Sequence, residues 1–142
     1  MKLIIHTDGG ARGNPGPAAV GVVATDEKGK VIFEFGRYID ETTNNVAEYT
    51  AVTDALSWIK DHEAQWGSGG KIFMDFYLDS MLVVNQLNGT FRVKDSKLRE
   101  LLSRIRILEQ QVGGEVKYSS VPREQNKRAD FLVNQALDKI VR

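Results

Sequence analysis

Apolar and β-branched residues at the start of the chain come in three short runs, at residues 2–8, 20–25 and 31–38. Runs of this length, bounded by turn residues, are typical of β-strands. Residues 13–17 (Gly-Asn-Pro-Gly-Pro) and 26–29 (Asp-Glu-Lys-Gly) provide the turns between them, because Gly allows positive φ and Pro fixes φ. The pattern therefore predicts an antiparallel meander of three strands.

The pattern changes to a helical period at residues 45–62, where apolar residues recur every three or four positions. We predict that this helical region ends at the glycine-rich residues 67–70. A strand at 72–78 and a short helix at 80–87 follow. An amphipathic helix is then predicted over residues 96–112, and two glycines end it.

A fifth strand at residues 115–121 and a final helix at 126–141 complete the pattern. The resulting order, βββαβααβα, indicates an α/β fold with a mixed five-stranded sheet and helices on both of its faces. Helices lie between strands 1 and 4 and between strands 4 and 5, which allows parallel pairing there. No linker or repeat divides the sequence, so we expect residues 1–142 to form a single domain.

Composition narrows the class of protein but not its function. The 142 residues are 42% hydrophobic and 27% charged, which is ordinary for a globular protein. Cysteine is absent, so disulfides and thiolate metal sites are excluded, and we expect a cytoplasmic location. No apolar run approaches the roughly 18 residues of a membrane span, and no signal-peptide pattern is present, so no membrane contact is expected.

Net charge is zero, because 19 basic residues balance 19 acidic ones. Many nucleic-acid-binding proteins are instead basic overall. Any contact with nucleic acid must therefore be local, or bound cations must supply positive charge that the composition lacks.

Four acidic residues stand at the ends of predicted elements. Asp8 and Asp79 end the first and fourth strands, whereas Glu48 and Asp130 lie near helix starts. Each has a local alternative role. Asp8 could open a turn, Asp79 could cap the short helix that follows it unless Ser80 does, and Asp130 could favour the dipole of the last helix. Glu48 could complete a capping box if Asn45 is the helix cap.

The four carboxylates converge if those ends share one edge of the sheet, where ligands bind in open α/β folds. A cluster of acids needs cations, because like charges raise one another's pKa values. All-oxygen ligation suits Mg²⁺ or Mn²⁺. Two such ions, about 3.5–4 Å apart, can activate water on one side of a phosphodiester and stabilise the leaving oxygen on the other. Spacing alone leaves this convergence open.

Four ordered segments of the chain closely resemble the type 1 ribonuclease H family: residues 7–17, 42–49, 78–80 and 126–130. The resemblance extends from residue 1 to about residue 137. It implies the ribonuclease H fold, with five strands in the order 3-2-1-4-5. It also implies an endoribonuclease that hydrolyses the RNA strand of an RNA–DNA hybrid and leaves a 5′-phosphate and a 3′-hydroxyl.

The resemblance also implies roles for individual residues. Asp8 would bridge two Mg²⁺ ions, Glu48 and Asp79 would hold one of them and Asp130 the other, and Mn²⁺ would also support activity. The residues expected to contact the hybrid are Gly9, Gly10, Arg12, Asn14, Thr43, Asn44 and Asn45. Asn14 could alternatively be a turn residue, and Thr43 or Asn45 a helix cap. We expect Asn14, Thr43 and Asn45 both to contact the hybrid and to serve in the turn or the helix cap.

Two features depart from well-known bacterial members of the family. The loop at residues 119–125 has no His, and Arg123 resembles the basic residue of short-loop members found in archaea and some bacteria. An Arg stays protonated, so Arg123 could bind phosphate or steady charge but could not act as a base; it could also be a solvated surface residue. The family's basic protrusion is missing as well, which leaves Arg92, Lys94 and Lys97 as a reduced DNA contact or as ordinary surface residues.

The expected partner is an RNA–DNA hybrid, bound by a monomer. Two alternatives stay open: double-stranded RNA as a further substrate, and a catalytically idle domain that binds nucleic acid. The presence of all four acids favours an enzyme. The two histidines give weaker signals, and we expect His6 to pack on a strand face and His62 to lie on the surface at a helix end.

Overall fold

The computed structural model describes residues 1–66 and 70–140. Within these residues the strands are β1 (Lys2–Ala11), β2 (Gly16–Thr25), β3 (Val31–Thr42), β4 (Phe73–Leu78) and β5 (Glu115–Ser120). The helices are α1 (Asn44–His62), α2 (Met81–Leu87), α3 (Ser96–Val112) and α4 (Lys127–Asp138), with short 3-10 helices at Glu63–Trp66 and Arg123–Gln125. The predicted order βββαβααβα is confirmed. The glycine-rich end predicted for the first helical region falls largely on residues 67–69, outside the described residues.

The strands of the described residues form one mixed sheet in the order β3-β2-β1-β4-β5. β1 pairs antiparallel with β2, and β2 with β3, which is the predicted meander. β1 pairs parallel with β4, and β4 with β5, across connections that contain helices. The fold expected from the resemblance, including its strand order 3-2-1-4-5, is confirmed.

β1 continues past the point at which the sequence pattern predicts its end. It reaches Ala11, because pairing with β2 continues as far as Ala11 opposite Ala18. Parallel pairing with β4 stops earlier, at His6 opposite Tyr77. Asp8 therefore lies inside a strand, and the prediction that it ends β1 is wrong. It does lie just beyond the carboxyl end of the β1–β4 ladder.

Helices cover both faces of the sheet, as predicted. One face shares a hydrophobic core with α1, α2 and α3, and α4 covers the other face. Fully buried members of the first core include Leu3, Ile5, Leu56, Phe76, Leu87 and Ile105. The smaller second core consists of Ala19 on β2 and Val133 and Leu137 on α4.

α4 lies directly on the sheet because two strand residues have no side chain. A Cβ on Gly21 of β2 would lie 2.2 Å from the backbone oxygen of Ala129. A Cβ on Gly36 of β3 would lie 2.5 Å from the backbone oxygen of Leu132. Side chains cannot occupy such short distances, so these glycines set the separation between α4 and the sheet. The first turn of α4, which carries Asp130, is thereby held close to β2.

Some helix limits differ from the predicted ones. Thr43 caps α1, and its Oγ1 accepts a hydrogen bond from the amide of Val46 at 3.2 Å, so Asn45 is not the cap. α3 matches its predicted range, whereas α4 is shorter than predicted at both ends, although residue 141 lies outside the described residues. None of the helices in the described part of the chain is long and apolar enough to cross a membrane.

Candidate active site

α1 touches β1 at a glycine, and this contact positions the first pair of acids. A Cβ on Gly9 would lie 2.2 Å from the backbone carbon of Ala47 and 2.4 Å from the backbone nitrogen of Glu48. Only glycine permits this approach of helix to strand. The side chain of Glu48 is consequently brought beside that of Asp8, the residue before Gly9.

Three carboxylates converge at this point. Oxygen atoms of Asp8, Glu48 and Asp79 all lie within 4.8 Å of one another. Asp79 reaches the group because it directly follows β4, the parallel neighbour of β1. Asp8 and Glu48 are each only 7% exposed. Buried carboxylates without basic partners are costly, so the fold maintains an arrangement that favours a bound cation.

The structure excludes two of the local alternatives. The capping-box position of α1 is Val46, three residues after Thr43, so Glu48 plays no part in capping that helix. Ser80 caps α2, because its Oγ accepts a hydrogen bond from the amide of Val83 at 3.2 Å. Asp79 is therefore free of a capping role. Both acids are available for chemistry.

Asp130 lies at the edge of the cluster rather than inside it. It is exposed, in the first turn of α4, and it lines the same cavity of about 450 Å³ as the three converging acids. Its carboxylate is outside the group whose oxygens lie within 4.8 Å. Its negative charge nevertheless contributes to raising the pKa of Asp8. Asp130 can therefore act at the same site from its open side.

The pKa values of the buried acids reflect their crowding. Burial, followed by repulsion from Asp79 and Asp130, raises the pKa of Asp8 to about 7. Burial, followed by repulsion from Asp8 and Asp79, raises the pKa of Glu48 well above its usual value. Oε2 of Glu48 is buried and has no hydrogen-bond partner within the described part of the chain. An all-oxygen donor set with an orphaned buried oxygen fits a hard divalent cation.

Asn126, at the start of α4, is a site residue that the sequence reasoning missed. Its side-chain amide donates to the backbone oxygen of Thr7 at 2.9 Å and to Oδ2 of Asp79 at 3.3 Å. The residue is only 1% exposed. The sequence pattern places it at the start of the final helix, and its contact with Asp79 depends on the tertiary fold.

The edge of the cavity beside α1 is held by two asparagine side chains. Oδ1 of Asn44 accepts a hydrogen bond from the amide of Ala11, and Oδ1 of Asn14 accepts one from the amide of Asn44, both at 2.9 Å. These hydrogen bonds fix which end of each amide faces the backbone, so the Nδ2 donors face away from it and are available to a ligand. The turn role of Asn14 and a ligand-facing role are thus compatible.

Most of the predicted site residues line the one cavity. Those that do are Asp8, Gly9, Gly10, Arg12, Asn44, Asn45, Glu48, Asp79, Arg123 and Asp130. Asn14 and Thr43 do not line it; they hold the adjoining loop and cap α1. Arg12 is partly engaged, because it pairs with Asp138 at 2.7 Å and donates to Asn134 at 3.2 Å. No His is among the described residues that line this cavity.

The two histidines serve packing roles in the described structure. His6 is half-buried and stacks on Tyr77 with a ring-centroid distance of 5.3 Å, as expected of a strand-face residue. His62 is also half-buried, stacked on Trp58 at 3.7 Å, and its Nδ1 hydrogen bonds with the Trp58 backbone oxygen at 2.8 Å. His62 lies at the end of α1, as predicted, but it packs on Trp58 and is not fully exposed.

Residues 6–136 match the family described as reverse transcriptase-like. A ribonuclease HI of Halobacterium salinarum is 42% identical over 140 residues, which are 96% of this chain and 65% of that protein. A bifunctional protein of Mycobacterium tuberculosis is 39% identical over 139 residues, which are 97% of this chain and 36% of that protein. The chain thus spans less than two thirds of the length of these two relatives.

A solved structure is similar over nearly the whole fold. LC11-RNase H1, isolated from compost by a metagenomic approach, has been crystallised in complex with an RNA/DNA hybrid. Its TM-score with this structure is 0.88 at 44% identity, and the superposition covers 96% of this chain and 97% of that one. The family match and these similarities confirm the predicted family: the chain belongs to the type 1 ribonuclease H family.

Proposed function

We propose that the chain is an endoribonuclease that hydrolyses the RNA strand of an RNA–DNA hybrid and leaves a 5′-phosphate and a 3′-hydroxyl. The observation that carries this proposal is the convergence of the Asp8, Glu48 and Asp79 carboxylates in a cavity that Asp130 also lines. The complex of LC11-RNase H1 with a hybrid supports the substrate, because that protein is 44% identical to this chain.

Mg²⁺ is the proposed cofactor, with Mn²⁺ as a substitute, because the donor atoms are carboxylate oxygens. Two such ions would be held with Asp8 as a ligand of both, Glu48 and Asp79 as ligands of one and Asp130 as a ligand of the other. The position of Asp130 outside the tight group of three favours this division. Such ions, when bound, supply Lewis-acid chemistry to a phosphodiester and to the attacking water.

The chain's own contribution is to hold the ligands in place before the substrate arrives. The paired strands β1 and β4 place Asp8 and Asp79 just beyond the carboxyl end of their ladder, and the contact at Gly9 fixes the backbone of Glu48. Preorganised charge of this kind costs no rearrangement during the reaction, which is why it is effective in catalysis. The same arrangement raises the pKa values of the two buried acids, Asp8 and Glu48.

The side chains of Asn14 and Asn44, at the edge of the cavity beside α1, fit the minor groove of a hybrid. Asn14 and Asn44 have Nδ2 donors available, because hydrogen bonds from backbone amides orient their side-chain oxygens toward the backbone. Donors suit 2′-hydroxyl oxygens and the acceptor atoms of base edges, both of which an A-like duplex displays in its wide minor groove. We propose that these residues, with Asn45, Thr43, Arg12 and the backbone at Gly9 and Gly10, contact the hybrid.

Arg123 is the proposed aid to catalysis in place of a histidine. It lines the cavity from the 3-10 turn before α4. A guanidinium stays protonated at all working pH values, so it can neutralise phosphate charge but cannot carry a proton. We propose a moderate contribution to turnover from this residue.

We also propose that residues 1–142 act as one catalytic domain, as a monomer in the cytoplasm. All strands of the described residues belong to a single sheet, which supports one folding unit. The cysteine-free sequence suits a reducing compartment. Sedimentation of the purified chain, alone and with a short hybrid, measures the stoichiometry; a dimer would contradict the proposal.

One cleavage experiment tests the proposed function. The chain is incubated with an end-labelled RNA–DNA hybrid, double-stranded RNA and each single strand, with Mg²⁺, Mn²⁺ or EDTA. We expect metal-dependent internal cleavage of the RNA in the hybrid, and ligation of the downstream fragments should verify the 5′-phosphate. Cleavage of double-stranded RNA at an equal rate would overturn the hybrid specificity.

Asp8→Asn is the matched control for that experiment, because it keeps the side-chain shape and removes the charge. We expect this substitution to abolish cleavage while the protein stays folded. Cleavage that survives it would overturn the carboxylate mechanism. A wild-type chain that binds the hybrid without cutting it would instead indicate an idle nucleic-acid-binding domain.

A further inference from the structure

Asn126 is a buried polar side chain whose hydrogen bonds connect separate parts of the site. It is the residue that precedes α4, yet its side chain makes no capping hydrogen bond to that helix. Instead, Nδ2 donates to the backbone oxygen of Thr7, next to Asp8 on β1, and to Oδ2 of Asp79 after β4. A single amide group thus joins the segments that carry two of the proposed metal ligands.

The backbone of Asn126 extends the same connection to two further site residues. Its carbonyl oxygen accepts a hydrogen bond from the amide of Asp130 at 3.1 Å. Its own amide donates to the carbonyl oxygen of Arg123 at 2.9 Å. Through its side chain or backbone, Asn126 is therefore hydrogen-bonded to Asp79, Asp130 and Arg123 and to Thr7, the neighbour of Asp8. Among the proposed catalytic residues, only Glu48 lacks such a connection.

The orientation of the amide group is set by its surroundings. Nδ2 faces the carbonyl oxygen of Thr7, which can only accept a hydrogen bond. A flipped amide would place two acceptors against each other, so the donor must face Thr7 and Asp79. Oδ1 of Asn126 is buried and has no hydrogen-bond partner in residues 1–66 and 70–140, which is unfavourable, but the opposite orientation would lose both hydrogen bonds of Nδ2.

We propose that Asn126 is a positioning residue that orients the carboxylate of Asp79 toward Asp8 and Glu48 and holds the start of α4 in register with β1. Its hydrogen bond restrains one oxygen of Asp79, which leaves the other oxygen for a cation. Partners of this kind behind a metal ligand commonly change metal affinity by about 10–100-fold. This inference rests on the proposed function, because it assumes that the four acids bind divalent cations.

The test measures metal affinity directly, so that its readout does not depend on activity. Mg²⁺ and Mn²⁺ are titrated into the metal-free full chain and into Asn126→Ala by calorimetry, well below the unfolding temperature of each protein. We expect Asn126→Ala to bind both ions about tenfold or more weakly. The metal concentration that gives half-maximal hybrid cleavage should rise in the same proportion.

Asn88→Ala provides the matched control. Asn88 also donates its Nδ2 to a strand carbonyl, that of Tyr118 on β5 at 3.1 Å, but it does not line the cavity. We expect its metal affinity to stay within about twofold of the wild-type value. If Asn126→Ala does not fold, Asn126→Leu fills a similar volume without a donor and is measured instead.

The possible outcomes separate the inference from the proposed function. Weaker metal binding in either Asn126 variant, with Asn88→Ala unchanged, supports the positioning role. Lower thermal stability with wild-type metal affinity would overturn it and leave Asn126 a purely structural residue. A wild-type chain that binds neither ion and leaves the hybrid intact would overturn the proposed function, and the inference with it.

Discussion

Asp8 must be charged to bind a cation, yet it is buried among other acids. In the metal-free chain its pKa is about 7, because burial and the charges of Asp79 and Asp130 disfavour the ionised form. A proton can therefore neutralise this carboxyl near neutral pH when no cation is bound. Protons and divalent cations compete for the same oxygens, so metal affinity should rise with pH in this range.

Asp8→Asn should stabilise the metal-free chain in a pH-dependent manner. An acid whose pKa is raised by folding, here from 3.8 to about 7, holds more protons in the folded than in the unfolded state between those values. The free energy of unfolding therefore falls as pH rises through that range, and the loss is complete above about pH 7. We expect the variant to match the wild type near pH 4 and to exceed it by about 1–3 kcal/mol at pH 8.

Thermal unfolding in EDTA at both pH values measures that difference. If the variant is no more stable than the wild type at pH 8, ionisation of Asp8 does not lower the free energy of unfolding, and the prediction is wrong. Adding Mg²⁺ should reverse the order, because only the wild type keeps the full set of ligands.

Arg123→Ala should slow hybrid cleavage several-fold. The guanidinium lines the cavity and can offset phosphate charge as the reaction proceeds, but it supplies no metal ligand and no proton. Single-turnover rates at saturating Mg²⁺ measure the effect, with Arg99→Ala on the exposed side of α3 as the control. An unchanged rate for Arg123→Ala would show that Arg123 is a solvated surface residue with no role in cleavage.

At the scale of elements, the contact of α1 with β1 at Gly9 decides the geometry of the site. A Cβ at Gly9 would meet the backbone of Ala47 at 2.2 Å, and backbone cannot move aside as a flexible side chain can. Gly9→Ala should therefore displace the start of α1 and with it Glu48. We expect a loss of about 3 kcal/mol or more in stability and of about 100-fold in cleavage rate.

Gly70→Ala is the control for this substitution, because an added Cβ there has no heavy atom of the described residues within 4 Å. We expect it to change stability by less than about 0.5 kcal/mol. Urea unfolding and hybrid cleavage of both variants provide the comparison. Wild-type activity in Gly9→Ala would mean that α1 and Glu48 can shift without consequence.

Local sequence patterns predict most of these elements but not how they meet. The amphipathic period of α3 predicts its limits, because a helix repeats its own signal along its length. The end of β1 is mispredicted, because pairing with β2, not propensity, carries the strand through Gly9 and Gly10 to Ala11. The cap of α1 is Thr43, one of the two candidates that the sequence left open beside Asn45, since several residues there can cap a helix.

The candidate site shows the same division between local and tertiary information. Residue type and ordered motifs indicate the four acids, but their convergence depends on sheet order and on the helix contact at Gly9. Asn126 has no local signal for its role, because its partners Thr7 and Asp79 lie far away in sequence. Tertiary hydrogen bonds of this kind cannot be inferred from spacing.

At the scale of the whole molecule, zero net charge has to be reconciled with binding a polyanion. Among the described residues that line the cavity only Arg12 and Arg123 are basic, and Arg12 is already paired with Asp138. Arg92 and Lys94, on the segment between α2 and α3, are exposed and can add phosphate contacts. The acids of the site would repel the hybrid without cations. Affinity should therefore depend mainly on divalent ions and on minor-groove contacts.

This charge distribution predicts weak hybrid binding with a shallow salt dependence. Each neutralised phosphate adds about 0.9 to the slope of log affinity against log salt concentration. With two to four such contacts, the slope should lie between about −2 and −4. Titrations of the non-cleaving Asp8→Asn protein with a fluorescent hybrid at several KCl concentrations and fixed Mg²⁺ measure it.

Removing basic side chains in that protein tests which of them touch phosphate. Arg92→Ala and Lys94→Ala should each weaken binding and make the slope shallower by about one unit if they contact the DNA strand. Lys28→Ala, on the turn between β2 and β3, should leave both affinity and slope unchanged. A slope steeper than about −6 would show that many more phosphates are neutralised than this surface provides, and would contradict the reduced electrostatic contact inferred from the zero net charge.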